Sequence, residues 1–312
     1  MKKFYSIVAV SMLSVGVFAQ TVEVNETFGF TGALSSNGWA THSGTVGQLQ
    51  TAGGVAVLVA GATEDVNKAL ATPYAITAGA VNQVSYSATV NVLNSTGLAA
   101  AGDYFLSLGS TAGASVTVLP ARLYVKPGTS GYLLGVLNTS GGTVAPTFST
   151  TEIPYGTPAN VTVNYIVETG ATTTQTATLQ IDAQSLLTNT TGTGAAPANV
   201  ASVTLRQGGT AAAGTGNVTV DNLVVTSYAK ITLAVDTITA LKANFVQNTI
   251  VNDAIKFGLK SDVKVYNMNG QVVKSAAVEK GSTLNVSSLP KGIYIVTGNV
   301  GGQVVSQKIT KN

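Results

Sequence analysis

The feature that most constrains this chain is alternation: over short stretches apolar and polar residues change places one by one, and each stretch ends in small polar residues. Val84-Ser85-Tyr86-Ser87-Ala88-Thr89-Val90-Asn91-Val92 is one such run. A period of two sends successive side chains to opposite faces of a strand, so the segment buries one face and wets the other. Val161 to Tyr165 and Ala177 to Ile181 repeat the pattern, and Leu123 and Val125 alternate with Arg122, Tyr124 and Lys126. Val218 to Val225 is more continuously apolar and is expected to lie deeper. Thr139-Ser140-Gly141-Gly142 and Gly208-Gly209 supply loops, and no segment carries apolar residues at helical spacing. The expectation is an all-β chain whose first part, roughly 200 residues, forms a sandwich or barrel of a dozen or more antiparallel strands.

At 312 residues there is room for two domains with cores that need no staples. That matters because the chain has no cysteine, which also excludes thiolate metal sites and cysteine nucleophiles. Only 9% of residues are charged, unlike a nucleic-acid binder or a disordered tail. The charge is unevenly placed. From Gln20 to Ala229 four basic residues (Lys68, Arg122, Lys126, Arg206) face nine acidic ones, a balance of −5. From Lys230 onward ten lysines face Asp236, Asp253, Asp262 and Glu279, a balance of +6. The shift predicts a first domain over 20–229, a linker over 230–243 and a second domain over 244–312. Ahead of them, Lys2 and Lys3, an apolar stretch from Ile7 to Phe18, and Val17 and Ala19 lay out a secretory signal with cleavage between Ala19 and Gln20. A membrane span needs about 20 apolar residues, and no run reaches that length.

In the second domain, Val263 to Met268 and Gln271 to Ala276 flank Asn269-Gly270, a two-residue hairpin signal. Ile293 to Thr297 and Gln303 to Ile309 flank Gly301-Gly302; with Ile255 to Leu259 and Leu284 to Val286 this makes six or seven strands, enough for a small immunoglobulin-like sandwich. Together with Leu289-Pro290-Lys291-Gly292, these segments resemble the type A C-terminal sorting domain of the type IX secretion system of Bacteroidetes. The resemblance implies export across the outer membrane, partners in the translocon and its sortase-like processing machinery, removal of the tail, and a final place outside the cell or attached to its surface. It also implies that the machinery reads Lys264, Val265, Tyr266, Asn267, Gly270, Leu289, Pro290, Gly292, Tyr294, Lys308 and Lys311. In the linker, Asp236-Thr237-Ile238 matches the Asp-Ser/Thr-aliphatic O-glycosylation pattern of that phylum and marks Thr237 as a candidate acceptor.

In the first domain, Glu26-Thr27-Phe28, Ser36-Asn37-Gly38-Trp39, Gly102-Asp103-Tyr104-Phe105, Ala121 to Val125 and Val220-Asp221-Asn222-Leu223 occur in an order that resembles the concanavalin A-like and laminin G-like jelly rolls. That fold hosts lectins, adhesins and glycoside hydrolases, so the residues must decide. Retaining glycosidases need two facing carboxylates. Glu64 and Asp65 are adjacent and would point to opposite faces of a strand. A serine triad would have to use His42, the one histidine, and no Gly-x-Ser-x-Gly elbow exists. Catalytic residues are therefore none. No cofactor is expected, calcium being the one ion for which Asp103, Asp182 and Asp221 are candidate donors at strand ends. Trp39, Tyr104, Tyr124 and Tyr132 are candidate sugar-stacking aromatics, with Trp39 preferred for its polar surroundings. The reading is a secreted, non-enzymatic adhesion or carbohydrate-binding module whose partner is an extracellular glycan or matrix. The alternatives are a structural matrix protein and a glycoside hydrolase-like enzyme.

Overall fold

The computed structural model describes residues 19–140, 145–232, 244–300 and 303–312. The signal segment up to residue 18, Thr237 with most of the linker, and the Gly301-Gly302 turn lie outside the described residues. The chain divides between Thr232 and Leu233 into two compact units, and the fold is all-β, with a single short 3-10 turn at Leu34–Ser36 among the named elements.

The first unit is a sandwich of a ten-stranded and an eight-stranded sheet. The centre of the larger sheet is Ala80–Val92, bracketed by Ala159–Thr169 and Val218–Tyr228. The centre of the smaller is Asp103–Gly109, bracketed by Arg122–Pro127 and Asn199–Arg206. Asp65–Ala75 lies beyond Asn199–Arg206, and Ala40–Ser43 forms that edge. The chain steps repeatedly from one sheet to the other, as Asp65–Ala75, Ala80–Val92 and Asp103–Gly109 do in succession, and every pairing in the two sheets is antiparallel. This is a jelly-roll arrangement.

Between the sheets lies one core. Val84, Tyr86, Ala88, Val90 and Val92 from one side meet Leu106, Leu108, Leu123, Val125, Val203 and Leu205 from the other. Burying a Val or Leu side chain contributes about 1.5–3 kcal/mol, so a face with several of them fixes register: a slip of one residue would turn the whole set outward. Three fully buried tyrosines of the core have their hydroxyls satisfied. Tyr86 donates to the Ala121 carbonyl, Tyr132 to the Thr157 carbonyl and Tyr165 to Gln175 Oε1. Val218–Tyr228 corrects the expectation of deeper burial, because it alternates like its neighbours and carries a bulge between Asp221 and Val224 where Asn222 takes φ 48°.

The second unit has a five-stranded sheet, in spatial order Ile250–Val251, Gln303–Lys311, Gly292–Val300, Ser261–Tyr266 and Val272–Val278, and a two-stranded sheet of Ala254–Lys256 and Thr283–Asn285. Phe245 and Phe257, with ring centroids 5.6 Å apart, fill its core with Val263, Val265, Val296 and Ile309. Ile250–Val251 joins the end of the chain in parallel, against Thr310 and Lys311. The hairpin differs from the two-residue turn expected. Asn267 N donates to the Gln271 carbonyl and leaves Met268, Asn269 and Gly270 in the loop. Asn267 Oδ1 accepts from the Asn269 and Gln271 N–H groups, and Gly270 takes φ +78°, the left-handed position that closes a three-residue loop.

Candidate functional site

The alternation along Arg122–Pro127 builds the site. Leu123 and Val125 are fully buried, so Arg122, Tyr124 and Lys126 stand on the outer face of the eight-stranded sheet, each half-buried. On the next strand Tyr104 sits directly opposite Tyr124, with a bulge before Leu106. Their ring centroids are 5.7 Å apart, and Phe148, from the short strand Thr147–Phe148, stands edge-on to Tyr124 at 6.3 Å. Phe148 lies on the sheet only because Gly135 beneath it has no side chain; a Cβ there would come within 2.6 Å of the ring. The three aromatics form a row that spans four strands, with Gly135 of Gly131–Leu137 between Tyr124 and Phe148, and each residue is half-buried.

Cations surround that row. The guanidinium carbons of Arg122 and Arg206 lie 4.5 and 4.4 Å from the Tyr104 centroid, and Lys126 Nζ lies 4.3 Å from that of Phe148, distances at which a cation is drawn to a ring. Arg206 Nη1 donates to Asp103 Oδ1 at 2.7 Å and to the Tyr104 carbonyl at 3.1 Å. Arg122 donates through Nε to the Leu119 carbonyl at 2.8 Å.

Asp65 lies across from Arg206 on the adjacent strand. Burial pushes its carboxyl from 3.8 up to about 6; Arg206 and the Gln207 N–H pull it down, while Asp103 and Glu64 raise it. Its buried Oδ1 has no hydrogen-bond partner. Glu64, its neighbour, points the opposite way, fully buried, and accepts from Thr41 Oγ1 and from the Leu49 N–H, each at 2.6 Å. Farther along the same face, Asn67 bonds the carbonyl and N–H of Gly113 at 2.8 and 2.9 Å, and Ser202 Oγ bonds the Thr111 carbonyl at 2.6 Å. That loop thus closes one end of the face and leaves the Tyr104 end open. His42 Nδ1 lies 3.2 Å from Asn67 Nδ2, and burial lowers its pKa, which keeps the ring neutral at neutral pH.

Several sequence candidates fall elsewhere. Trp39 is corrected from an exposed contact to a core residue: 3% exposed, stacked 5.9 Å from Phe28, its Nε1 donating to Glu26 Oε2 at 3.3 Å. It was misplaced because the polar residues around it belong to the strand edge and not to its own surroundings. Tyr132 is likewise fully buried. Of the four aromatic candidates, Tyr104 and Tyr124 reach the open face. Asp103 serves Arg206, Asp182 accepts from Asn160, and Asp221 accepts from Asn222. Asp103 is in the smaller sheet, Asp182 and Asp221 in or beside the larger, so the three do not converge; among the described residues no group of three or more His, Asp or Glu is placed to hold a metal. A shallow groove of about 800 Å³ at the edge of the larger sheet is lined by Glu168, Thr174, Thr176, Thr190 and neighbouring glycines and alanines. Its lining has no aromatic or cationic side chain and so less means of selecting a ligand. Arg122, Lys126, Arg206, Asp65 and Phe148 were missed as site residues. For Arg122 and Lys126 the signal was present, since their spacing of two on either side of Tyr124 puts all three on one face.

In the second unit the sorting candidates separate by face. Lys264 pairs with Thr297, which pairs in turn with Ser306, and Tyr266 pairs with Ile295, which pairs in turn with Lys308, making two rows on the outer side of the sheet. Val265 and Tyr294 point inward, the Tyr294 hydroxyl donating to the Pro290 carbonyl at 2.8 Å; Lys311 is 8% exposed. Asn267 and Gly270 make the hairpin loop, and Leu289, Pro290 and Gly292 the turn into the central strand Gly292–Val300. Residues 246–312 match the secretion system C-terminal sorting domain family. The tail is a sorting domain. Such a tail implies export by the type IX secretion system. For the whole chain, no curated protein matches in sequence.

Solved structures similar to the chain include the alginate lyase Aly36B (15% identity, 66% of this chain and 96% of that one, TM-score 0.42). Peanut lectin is another (14%, 69% and 99%, TM-score 0.41). A third is a CBM2 module of the evolved Dit of Lactobacillus casei BL23 phage J-1 (12%, 67% and 96%, TM-score 0.44).

Proposed function

We propose that the first unit is a non-enzymatic carbohydrate-binding or adhesion module, carried outside the cell by the sorting domain and left there, released or surface-attached, once the signal segment and the tail have been removed. The observation that carries this reading is the row Tyr104, Tyr124 and Phe148 on an open sheet face. Aromatic rings that are partly in solvent suit the apolar faces of sugar rings; Tyr124, the middle ring, is the one over which no cation lies among the described residues, and an exposed hydrophobic row of this kind otherwise costs solubility. Asp103 is committed to Arg206, and Asp65 lies half-buried on that same strand row. Both carboxylates therefore shape the face electrostatically, and the module holds its ligand without turning it over.

The test is a glycan array with the full chain beside Tyr124→Ala, each checked for fold by circular dichroism, and a product-release assay on every polymer that binds. Binding that Tyr124→Ala weakens by about 1–3 kcal/mol, the scale of an important contact, supports the reading. No binding to any carbohydrate would overturn it, and release of sugar products would make the protein an enzyme.

A further inference from the structure

We propose that the ligand of this face is an acidic polysaccharide whose carboxylates are taken by Arg122 and Lys126, with Tyr124 between them beneath a sugar ring. The inference rests on the carbohydrate-binding reading above and names the class of sugar.

It begins with scarcity. The region 20–229 holds only Lys68, Arg122, Lys126 and Arg206 as basic residues and carries a balance of −5. Lys68, itself half-buried, is used by its ion pair with the buried Glu26. The other three gather on one face of one sheet, around one row of rings. In a domain this acidic, cations serving only solubility would be scattered. Against Asp65 and Asp103 on the same face, three cations leave a net positive patch in a domain of the opposite sign, which concentrates anions there.

Two of the three are unspent. Arg206 is occupied by Asp103 and the Tyr104 carbonyl. Among the described residues the ion pairs are Lys68–Glu26, Arg206–Asp103 and Lys260–Glu279, so Arg122 and Lys126 have no acidic partner. Arg122 is held in place by Nε on the Leu119 carbonyl and by its contact with Tyr104, which leaves both terminal nitrogens to form the paired hydrogen bonds that a carboxylate accepts. Lys126 is steadied over Phe148 with its ammonium protons free. A fixed guanidinium takes a carboxylate through two parallel N–H···O bonds and the lysine adds a point charge, while sulfate is the competing anion that the test must separate.

Spacing makes the ligand a polymer. Arg122 and Lys126 are four residues apart on one extended strand, about 13 Å between their Cα atoms, and their charged ends lean over different rings, Tyr104 and Phe148. That separation exceeds one sugar ring, and Tyr124 lies midway on the same face, so the two charges address different residues of an oligosaccharide with a stacking platform between them.

The test measures binding of the full chain by calorimetry to four probes at low and moderate salt: polygalacturonate, the same polymer with its carboxyls methyl-esterified, dextran sulfate and neutral dextran. Duplex DNA is included as a polyanion of another class. Expected is binding to polygalacturonate that drops at least tenfold on esterification and weakens with salt. Arg122→Gln and Lys126→Gln should each lower it about tenfold, and Arg122→Lys should recover only part of the loss. Circular dichroism and calorimetric unfolding confirm that the variants fold; both side chains lie outside the core, and glutamine keeps their stems. Equal affinity for the esterified polymer, or for neutral dextran, would overturn the acidic-ligand inference and leave the carbohydrate reading standing. Dextran sulfate or DNA binding as tightly as polygalacturonate would overturn the carboxylate assignment. Failure to bind any polysaccharide here or on the array would overturn both.

Discussion

Replacing Trp39 with alanine tests whether this indole is a structural plug. Its ring stacks on Phe28 at 5.9 Å, Lys68 lies 5.8 Å from its centre, and its Nε1 donates to Glu26 Oε2. A buried tryptophan keeps roughly 150–250 Å² from water, worth on the order of 4–6 kcal/mol at about 25 cal/mol per Å². A denatured chain that is already partly collapsed lowers this to about 3–5 kcal/mol, the range found when large aromatics in cores are cut to alanine. Glu26 adds little, because it keeps its bonds from Lys68 and the Phe28 N–H. Since a domain's whole stability is about 5–15 kcal/mol, Trp39→Ala should move the unfolding midpoint of the first unit far down while leaving that of the second in place. Urea titration followed by circular dichroism reads the change. Trp39 is the chain's one tryptophan, so the wild-type protein offers a companion measurement: its emission should be blue-shifted and shielded from acrylamide. A loss under about 1 kcal/mol, together with easy quenching, would refute the buried placement and return Trp39 to the surface.

Asp65 should show the opposite sign from an ordinary salt-bridged carboxylate. Its folded pKa of about 6 exceeds the unfolded 3.8, so between those values the native state binds more protons and stability rises as pH falls through 6. Asp65→Asn should raise stability at pH 7.5 by about 1–2 kcal/mol, after discounting for solvent at a half-open face, and should flatten the profile between pH 7 and 5; an unchanged profile would disprove the shift. The groups facing it are Arg206, Asp103 and Tyr104, Glu64 acts on it from the other side of the strand, and His42 lies on the neighbouring edge strand, so His42→Gln in the same titration separates its protonation from that of Asp65. Deleting Leu289 to Asn312 removes both Gly292–Val300 and Gln303–Lys311, two of the five strands of the sorting sheet, so the protein should stop in the periplasm. Normal display of the truncation would contradict the role of the tail. Mass spectrometry of the exported protein should find Gln20 at the start and an end between residues 229 and 243; recovery of an intact chain to Asn312 would rule out tail removal.

Much of the fold was legible because alternation is a local code. The pattern in Val84 to Val92 states that the segment is a strand and which residues face inward, and the structure keeps both. The same code placed Arg122, Tyr124 and Lys126 on one face and sent Glu64 and Asp65 to opposite sides. The tail was legible for another reason: its turn residues and spacings are those of the sorting-domain family that residues 246–312 match, and such a match is carried by the sequence itself. What the sequence could not state was which strands are neighbours. Tyr104 meets Tyr124 across one strand gap, and Arg206, about a hundred residues later, closes on Tyr104 from the other side. Nothing local to any of them announces this, because register between distant strands is chosen by the summed burial of the whole sheet. Trp39 makes the same point in reverse. Its sequence neighbours are polar and suggested solvent, whereas its spatial neighbours, Phe28, Glu26 and Lys68, come from two other strands and the turn after one of them, and bury it. Local alternation assigned faces; only tertiary pairing decided which faces met, and so where the rings and cations became a site.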